Sequence, residues 1–335
     1  MKLFRPGRLL VAGLVLLAVV LALVVVPSND YIFLPDRAHP VAPLVTVEGG
    51  HDPTRGGVYF VDVVVRKATV IERLFGGLHK GADLYPPQAV NPPGVNQQER
   101  HVLDIEDMHR SQQIAAAVAL RAAGRKVLMR PVGARIAFVQ QGLPAFRKLE
   151  PGDVVVAIDG RPVHTLHDVF VRMTAHHVGD IVAFTIRRGK RTLVERMKTV
   201  GAGKGANRRP VVGVGLEPAL DIHLPVSVRI DAGNVGGPSA GVAFALEVLE
   251  ELGRDVVHGH KIAATGEIDP DGSIGPIGGV KQKTIGAREA HVDAFVVPAG
   301  ENASEARKYA GGLKIIPVET FPQVLHALAT LPQNG

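Results

Sequence analysis

Apolar residues at helical spacing mark the stretch that follows residue 241. Four of them fall on one face of a helix: Val242, Leu246, Leu249 and Leu252. Pro238 stands before this stretch, where proline suits the first turn of a helix, and Gly253 follows it, where a left-handed cap ends a helix. The pattern predicts a helix that begins just after Ser239 and ends at Gly253.

Strand-like and helical patterns alternate through the rest of the C-terminal half, from 204 to 332. Strands are predicted at 211–216, 226–231, 261–268, 294–297 and 314–318. Further helices are predicted around residue 283 and at 304–309 and 321–331. This alternation predicts an α/β sandwich.

An uncharged apolar run of 18 residues, 9–26, lies near the start of the chain. Its length is near the lower limit for crossing a bilayer core of about 30 Å. Three positively charged residues come before it: Lys2, Arg5 and Arg8. They predict a cytoplasmic tail over 1–8, a single-pass transmembrane anchor over 9–26 in the cell membrane, and the bulk of the chain outside the cytoplasm. A cleaved signal peptide is the alternative, although the run is long for one and does not end in small residues.

The segment between this run and residue 125 carries mixed patterns. Its first part, 27–50, has prolines at 27, 35, 40 and 43, which predict an extended stalk. The second part, 51–125, predicts a strand at 58–65, a short helix at 70–75, a loop at 85–97 and a longer helix at 102–123.

A different sequence pattern follows over 126–203. The run L-E-P-G-D-V-V-V-A-I-D-G-R-P-V at 149–163 resembles bacterial PDZ domains, and a helix at 166–176 and a strand at 181–187 complete the order expected for them. The resemblance implies a groove that binds peptide termini by strand addition, with the carboxylate held on backbone N–H groups. The candidate loop for this role is Val132, Gly133, Ala134 and Arg135, and the alternative is a PDZ-like fold that serves only as a rigid spacer.

The chemistry-bearing stretch is G-G-P-S-A-G at 236–241. A serine at a helix N-terminus lies beside backbone N–H groups that have no partner within the helix, so it can become a nucleophile next to an oxyanion hole once a base removes its proton. Taken alone, the stretch favours a glycine-rich turn in which Ser239 only caps the helix.

A second stretch changes that balance, because A-T-G-E-I at 264–268 and G-P-I-G-G-V-K-Q-K at 275–283 join the first in resembling the proteolytic domain of Lon proteases. The resemblance implies a Ser-Lys dyad with Ser239 as nucleophile and Lys283 as general base, and it implies that Thr265 hydrogen-bonds the lysine. Three residues of the serine turn are supporting: Gly237, Pro238 and Ala240. Many Lon proteases have an aspartate at the residue before the Gly-Pro-Ser turn, where this chain has a glycine.

Two lysines follow the glycine pair, and on a helix they would point to nearly opposite sides. Lys283 lies on an apolar stripe with Val280 and Ala287, whereas Lys281 shares its side with Arg288. Family alignment also favours Lys283. A base lysine must be largely neutral near pH 7, and burial shifts the pKa of an amine in that direction.

Composition excludes several classes of function. The 335 residues include no Cys, which rules out disulfides, thiol catalysis and Cys-ligated zinc. The 14 His residues show no H-E-x-x-H pattern, so neither a metal nor another cofactor is expected. A net charge of +6 without a dense basic run disfavours nucleic-acid binding. The P-loop spacing G-x-x-x-x-G-K-[ST] is missing, so the chain should not hydrolyse ATP.

The Lon-like half, 204–332, is shorter than a whole domain of that family. The strand at 58–65 and the helix at 102–123 are candidates for its missing front part, which would make the PDZ module an insertion within the protease domain. Asp231 and Glu267 lie near the dyad in sequence and are either a third acidic member or ordinary strand-end carboxylates.

Together these features predict an α/β (α+β) Lon-type proteolytic domain, a small β-rich PDZ domain and one N-terminal transmembrane helix. The predicted function is an ATP-independent serine endopeptidase that cleaves flexible or unfolded protein segments outside the cytoplasm. Its expected partners are protein or peptide substrates, bound in some cases through C-terminal tails, together with the membrane and further copies of the chain. Two alternatives are a catalytically silent PDZ scaffold or chaperone and a protein that cuts only itself.

Overall fold

The computed structural model describes residues 6–51, 56–91, 97–203, 205 and 208–332. The helices are α1 (Pro6–Val25), α2 (Val70–Leu74), α3 (Pro87–Val90), α4 (Gln97–Ala122), α5 (Leu166–Thr174), α6 (Gly241–Glu251), α7 (Val280–Glu289), α8 (Glu301–Tyr309) and α9 (Phe321–Ala329). Short 3-10 helices span Ala42–Leu44 and Pro238–Ala240.

The strands fall into two groups, before and after α5. The first group is β1 (Pro27–Pro40), β2 (Val45–Val47), β3 (Gly57–Thr69), β4 (Asp83–Tyr85), β5 (Leu128–Val139), β6 (Val154–Ile158) and β7 (Arg161–Pro162). The second group is β8 (Ile181–Arg188), β9 (Arg191–Lys198), β10 (Val200–Ala202), β11 (Arg209–Val211), β12 (Val214–His223), β13 (Val228–Ile230), β14 (Lys261–Ala264), β15 (Glu267–Ile268), β16 (Ile274–Gly275), β17 (Ala294–Pro298) and β18 (Lys314–Val318).

The larger core is built on a mixed sheet, here called the first sheet, with strand order β18-β17-β14-β3-β1-β4. Its β18, β17, β14 and β3 run parallel, and β1 pairs antiparallel with β3 on one side and with β4 on the other. The interior strand β17 is apolar on both sides, with every residue buried, because helices cover both faces of the sheet. The alternation of the C-terminal half therefore does produce the predicted α/β architecture.

Side chains of alternate residues assign the helices to the two faces of the first sheet. Ile262 and Ala264 pack with α4, α6 and α9 on one face, whereas Ala263 packs with α7 and α8 on the other. The turn before α6 and the side chains of α7 therefore approach the first sheet from opposite faces, and both do so near the carboxyl end of β14.

The stalk predicted over 27–50 is not observed, which is a correction to the sequence analysis; its residues 45–47 form β2, paired with β13, and its residues 27–40 form a longer strand. This longer strand is β1, which pairs with β3 from Pro27 to Pro40 and buries Tyr31 and Ile32. The prolines do not prevent this because Pro27 and Pro35 flank irregularities in the register and Pro40 is the last paired residue.

A separate five-strand path, here called the second sheet, has the order β12-β5-β6-β8-β9, with β7 beside β6. Its core contains Ile136, Val155 and Phe184, and α5 packs against it. The strand predicted at 211–216 as part of the C-terminal half differs from the structure: β12 pairs with β5 from residue 214 to residue 223 and so belongs to the second sheet.

The elements predicted in the N-terminal half have the correct type, but several of their end residues differ from those in the structure. The strand at 58–65 and the helix at 70–75 are confirmed as parts of β3 and α2. The helix predicted at 102–123 is α4, which begins at Gln97. The predicted loop at 85–97 contains the single turn α3, and its residues 92–96 lie outside the described residues.

The apolar run 9–26 lies largely within α1, and the side chains from Leu10 to Val26 are mostly exposed. In the described part of the chain, no helix meets the combined requirement of length and apolarity for crossing a membrane. The predicted transmembrane anchor is therefore unsupported by the structure.

Candidate active site

Ser239 lies in the 3-10 turn Pro238–Ala240, directly before α6. Gly237 enters this turn with φ +87°, a left-handed conformation that glycine adopts without strain. Gly241 follows the turn where a Cβ atom would lie 2.8 Å from a methyl group of Ile268 and 2.9 Å from the Ser111 hydroxyl. The glycines on either side of the serine thus allow one sharp bend and one close approach.

Lys283 lies on α7, and its Nζ is 2.7 Å from the Oγ of Ser239. The side chain is 4% exposed. Burial lowers the pKa of the Lys283 amine to about 8, and the negative charge of Asp62 opposes this shift. A substantial fraction of the amine is therefore neutral near pH 8 and can accept the proton of the Ser239 hydroxyl.

Thr265 follows β14 and is fully buried. Its hydroxyl donates to the backbone carbonyl of Ser239 at 3.1 Å and lies 3.4 Å from Nζ of Lys283. The backbone N–H of Gly266 donates to the same carbonyl at 2.8 Å. The end of β14 thus contacts both the serine turn and the lysine amine.

Lys281, the other lysine of α7, points away from this cluster. Its Nζ donates to Asp83 at 2.8 Å and to the carbonyl of Ala82 at 3.3 Å. The structure therefore brings Lys283, not Lys281, to Ser239.

A groove of about 680 Å³ opens at Ser239 and Lys283. Consecutive β3 residues, Val63, Val64 and Val65, form part of its wall, and Tyr31 and Phe33 of β1 add aromatic surface. This wall is apolar and extended, which suits contact with an extended peptide.

The two acidic residues near the dyad in sequence lie in different places. Glu267 lines the groove, and burial together with Asp269 raises the pKa of its carboxyl group. Asp231 is exposed, and its carboxylate accepts from the N–H of Gly233 at 2.9 Å. Only Glu267 of this pair therefore lies close enough to contact a molecule in the groove.

One group of potential metal ligands occurs among the described residues. Asp36, His39 and Asp62 place one ligand atom each within 4.8 Å of the others. His39 Nε2 lies 3.4 Å from Asp36 and 3.7 Å from Asp62. Burial and the neighbouring Asp36 raise the pKa of Asp62, whose carboxylate also lines the groove.

A second groove, of about 440 Å³, lies on the second sheet beside α5. It is lined mainly by apolar side chains, among them Val169, Phe170 and Met173 of α5 and Val214 and Leu216 of β12. β12 is an edge strand of its sheet, so this groove combines an apolar helix face with a strand edge.

The four residues predicted to hold a peptide carboxylate do not line this second groove. Val132, Gly133, Ala134 and Arg135 lie in β5, and Arg135 forms ion pairs on the opposite side. The sequence analysis did not assign residues 211–216 to a groove, although most of them line this one. The letters G-V-G-L follow Val212 in this stretch. Two glycines alternating with apolar residues were the signal that could have found them.

Two family models match this chain. Residues 211–330 match the Lon protease (S16) C-terminal proteolytic domain, and residues 104–198 match the PDZ domain. The chain therefore contains one segment similar to the Lon proteolytic domain and one similar to the PDZ domain, as the motifs indicated.

Curated relatives agree with the first match. Lon protease 2 of Bacillus subtilis is 33% identical over 141 residues, which cover 41% of this chain and 24% of that protein. Lon protease of Rhizobium meliloti is 33% identical over 145 residues, covering 41% of this chain and 18% of that protein. The chain thus spans about a quarter or less of the length of these relatives.

Among solved structures, the PDZ domain of an SdrC-like protein from Listeria monocytogenes is 22% identical and covers 25% of this chain and 87% of that one, with a TM-score of 0.24.

Proposed function

We propose that this protein is a serine endopeptidase in which Ser239 is the nucleophile and Lys283 the general base. The observation that carries the proposal is the 2.7 Å separation of Oγ and Nζ, with a lysine buried enough to bring the pKa of its amine to about 8. The match of residues 211–330 to the Lon proteolytic domain supports the same reaction class.

The proposed cycle begins when the neutral Lys283 amine takes the proton of the Ser239 hydroxyl while Oγ attacks the carbonyl carbon of the scissile peptide. Backbone N–H groups at the 238–240 turn stabilise the oxyanion, because the first N–H groups of a helix have no partners within it. The Lys283 ammonium then gives its proton to the leaving amine. A water molecule that loses its proton to Lys283 attacks the acyl ester and regenerates Ser239.

We propose that substrates enter as flexible or unfolded segments without ATP. An extended chain fits the apolar wall formed by β1 and β3, and the 335 residues contain no P-loop sequence that could power unfolding. Folded domains should therefore be cut only where a tail or loop is already extended.

The groove beside α5 is proposed to bind the C-terminal tail of a substrate. The edge of β12 offers backbone groups for strand addition, and the α5 side chains offer an apolar pocket for a terminal side chain. Binding there would raise the local concentration of a tethered segment at Ser239.

We further propose that the PDZ unit is inserted within the protease domain. β3 and β14 pair directly in the first sheet, while all strands of the second sheet lie between them in sequence. A fragment comprising 204–335 would lack β1 and β3, and we expect it to be unfolded and inactive; a stable, active fragment would contradict this organisation.

The location outside the cytoplasm and self-assembly are proposals that rest on sequence. The charged tail followed by the apolar run 9–26 supports the location, and the resemblance to Lon supports a homo-oligomer. Protease accessibility in intact and permeabilised cells tests the first, and light scattering on the purified chain tests the second.

The decisive experiment measures cleavage of casein by the purified full chain without ATP. We expect cleavage that Ser239→Ala and Lys283→Ala abolish, with circular dichroism showing that both variants remain folded. Lys281→Ala is the matched control, since it removes a lysine from the same helix that contacts Asp83 instead of Ser239. Cleavage that persists in Ser239→Ala would reject the dyad, and a folded wild type without activity would favour a binding scaffold.

A further inference from the structure

The serine turn is held from outside by α4. The N–H of Gly237 donates to the backbone carbonyl of Asp104 at 2.6 Å, and the hydroxyl of Ser111 donates to the carbonyl of Pro238 at 2.9 Å. Asp104 and Ser111 are seven residues apart and so lie on one face of α4. The position of the Ser239 hydroxyl therefore depends on where α4 lies.

Between these two contacts, α4 is tied to the second sheet by charge. Arg110 of α4 donates to Oε2 of Glu217 on β12, and Arg135 of β5 lies 3.4 Å from the same oxygen. Arg135 also pairs with Glu106 at 3.2 Å and with Asp107 at 3.1 Å, both on α4. The Glu217 carboxylate thus lies between two guanidinium groups, that of Arg110 on α4 and that of Arg135 on β5.

Packing alone does not fix the distance between α4 and the second sheet at this point. A cavity of about 140 Å³ lies there, lined by Arg110, Ser111, Glu217, Pro238 and other residues. A gap of this kind leaves fewer packing contacts between α4 and β12 than a filled core would, so the Arg110–Glu217 ion pair carries more of the contact at this point. Without the Glu217 charge, Arg110 loses this carboxylate partner on β12, whereas Arg135 keeps its ion pairs with Glu106 and Asp107.

We propose that Glu217 is a positioning residue for the serine turn: by holding Arg110, it keeps α4 where Asp104 and Ser111 can hold Gly237 and Pro238. The proposal deepens the proposed protease function and rests on it. The proposal also gives the second sheet a part in shaping the active site. Its strand β12 carries Leu216, which lines the groove beside α5, and Glu217, which contacts α4.

The first test measures hydrogen exchange of the peptide containing residues 236–241 by mass spectrometry, in a Ser239→Ala background. Glu217→Gln keeps the size of the side chain and removes its charge. We expect the Gly237 amide to exchange about tenfold faster, because its hydrogen bond to the Asp104 carbonyl weakens when α4 loses its ion pair with β12. Asp221→Asn is the matched control, because it makes the same change four residues along β12, where the carboxylate contacts His223.

The second test measures kcat and KM on a short fluorogenic peptide. We expect Glu217→Gln to lower kcat about tenfold with little change in KM, because the turn moves while the groove wall of β1 and β3 does not. Ser111→Ala should lower kcat similarly, and the double variant should be no worse than the lower single one, since both act on one path. If Glu217→Gln fails to fold, the kcat of Ser111→Ala tests the same path.

Two results would overturn the inference. One is exchange at 236–241 in Glu217→Gln equal to that of Asp221→Asn, and the other is additive losses of kcat in the double variant. Failure of the proposed function has a different signature, namely cleavage that does not depend on Ser239, whereas the exchange measurement is made on a chain without that hydroxyl.

Discussion

The amine of Lys283 meets the hydroxyl of Ser239 at 2.7 Å although 44 residues separate them along the chain. The serine turn leads into α6 on one face of the first sheet, and the lysine lies on α7 on the other face. They meet beyond the carboxyl end of β14, where Thr265 contacts both. The site therefore uses the crevice at strand ends in which α/β sheets commonly bind ligands.

The pH dependence of cleavage should report the Lys283 amine. Because burial lowers its pKa to about 8, the neutral base is scarce below that value and dominant above it. We expect kcat/KM to rise with pH, with half of the plateau reached near pH 8. A profile that is flat from about pH 6 to pH 9 would argue against a lysine base.

Asp62→Asn should shift that profile to lower pH. The Asp62 charge raises the pKa of Lys283, so its removal lets the amine lose its proton at a lower pH. The measurement is the midpoint of kcat/KM against pH, which is insensitive to a uniform change in peptide affinity. Asp231→Asn, at an exposed carboxylate outside the groove, should leave the midpoint where it is in the wild type.

Thr265→Val should lower kcat by about tenfold or more, because it removes the hydroxyl that holds the Ser239 carbonyl and faces the lysine amine. Thr265→Ser keeps the hydroxyl and should retain most of the activity. Equal losses in the two variants would mean that the methyl group, through packing, matters as much as the hydrogen bond.

Glu247 should make the folded state less stable as pH rises. Its side chain is fully buried on α6, neither carboxylate oxygen has a partner among the described residues, and burial raises its pKa to about 8. Between its ordinary value and about pH 8 the folded chain binds a proton that the unfolded chain has lost, so the free energy of unfolding falls with pH.

The corresponding test compares melting temperatures of Glu247→Gln and wild type from about pH 5 to pH 8. We expect the variant to be the more stable at pH 8 and the difference to shrink toward pH 5. Glu289→Gln makes the same change at an exposed position at the end of α7. A difference for Glu247→Gln that does not vary with pH would assign the effect to packing.

Phe170→Asp should weaken binding of peptides with a free C-terminus. Phe170 lines the groove beside α5 and is 55% exposed, so the substitution places a charge near the peptide without opening the core. Titration with a fluorescent peptide measures the change, and Val178→Asp, at an exposed position outside the groove lining, is the control. Unaltered affinity would place the peptide elsewhere.

The residues of the site were predicted from the sequence more accurately than the strand pairing around it. The G-P-S-A-G turn, the helix with Lys283 and the contact with Thr265 follow from local patterns and from motifs, and the structure brings these residues together. Local patterns do not name the partner of a strand. β1 therefore looked like a stalk and β12 like part of the C-terminal half, since only their pairing with β3 and β5 shows otherwise.

The residues that line the groove beside α5 were not predicted from the sequence, for a related reason. Residues 132–135 lie within β5, and that strand is interior to the second sheet, between β12 and β6. The strand that borders the groove comes from residues 214–223, which lie after the run along the chain. Chain order therefore gave no information about which strand forms the edge.

The pairing of β3 with β14 has a consequence for biosynthesis. All strands of the second sheet lie within 128–223, so that unit can complete its pairing while later residues are still being made. The first sheet must wait until β14, β17 and β18 have followed, and long-range pairing of this kind is slow to form. Because Ser239 and Lys283 meet only around the completed β14, a nascent chain completes the groove beside α5 before Ser239 can contact Lys283.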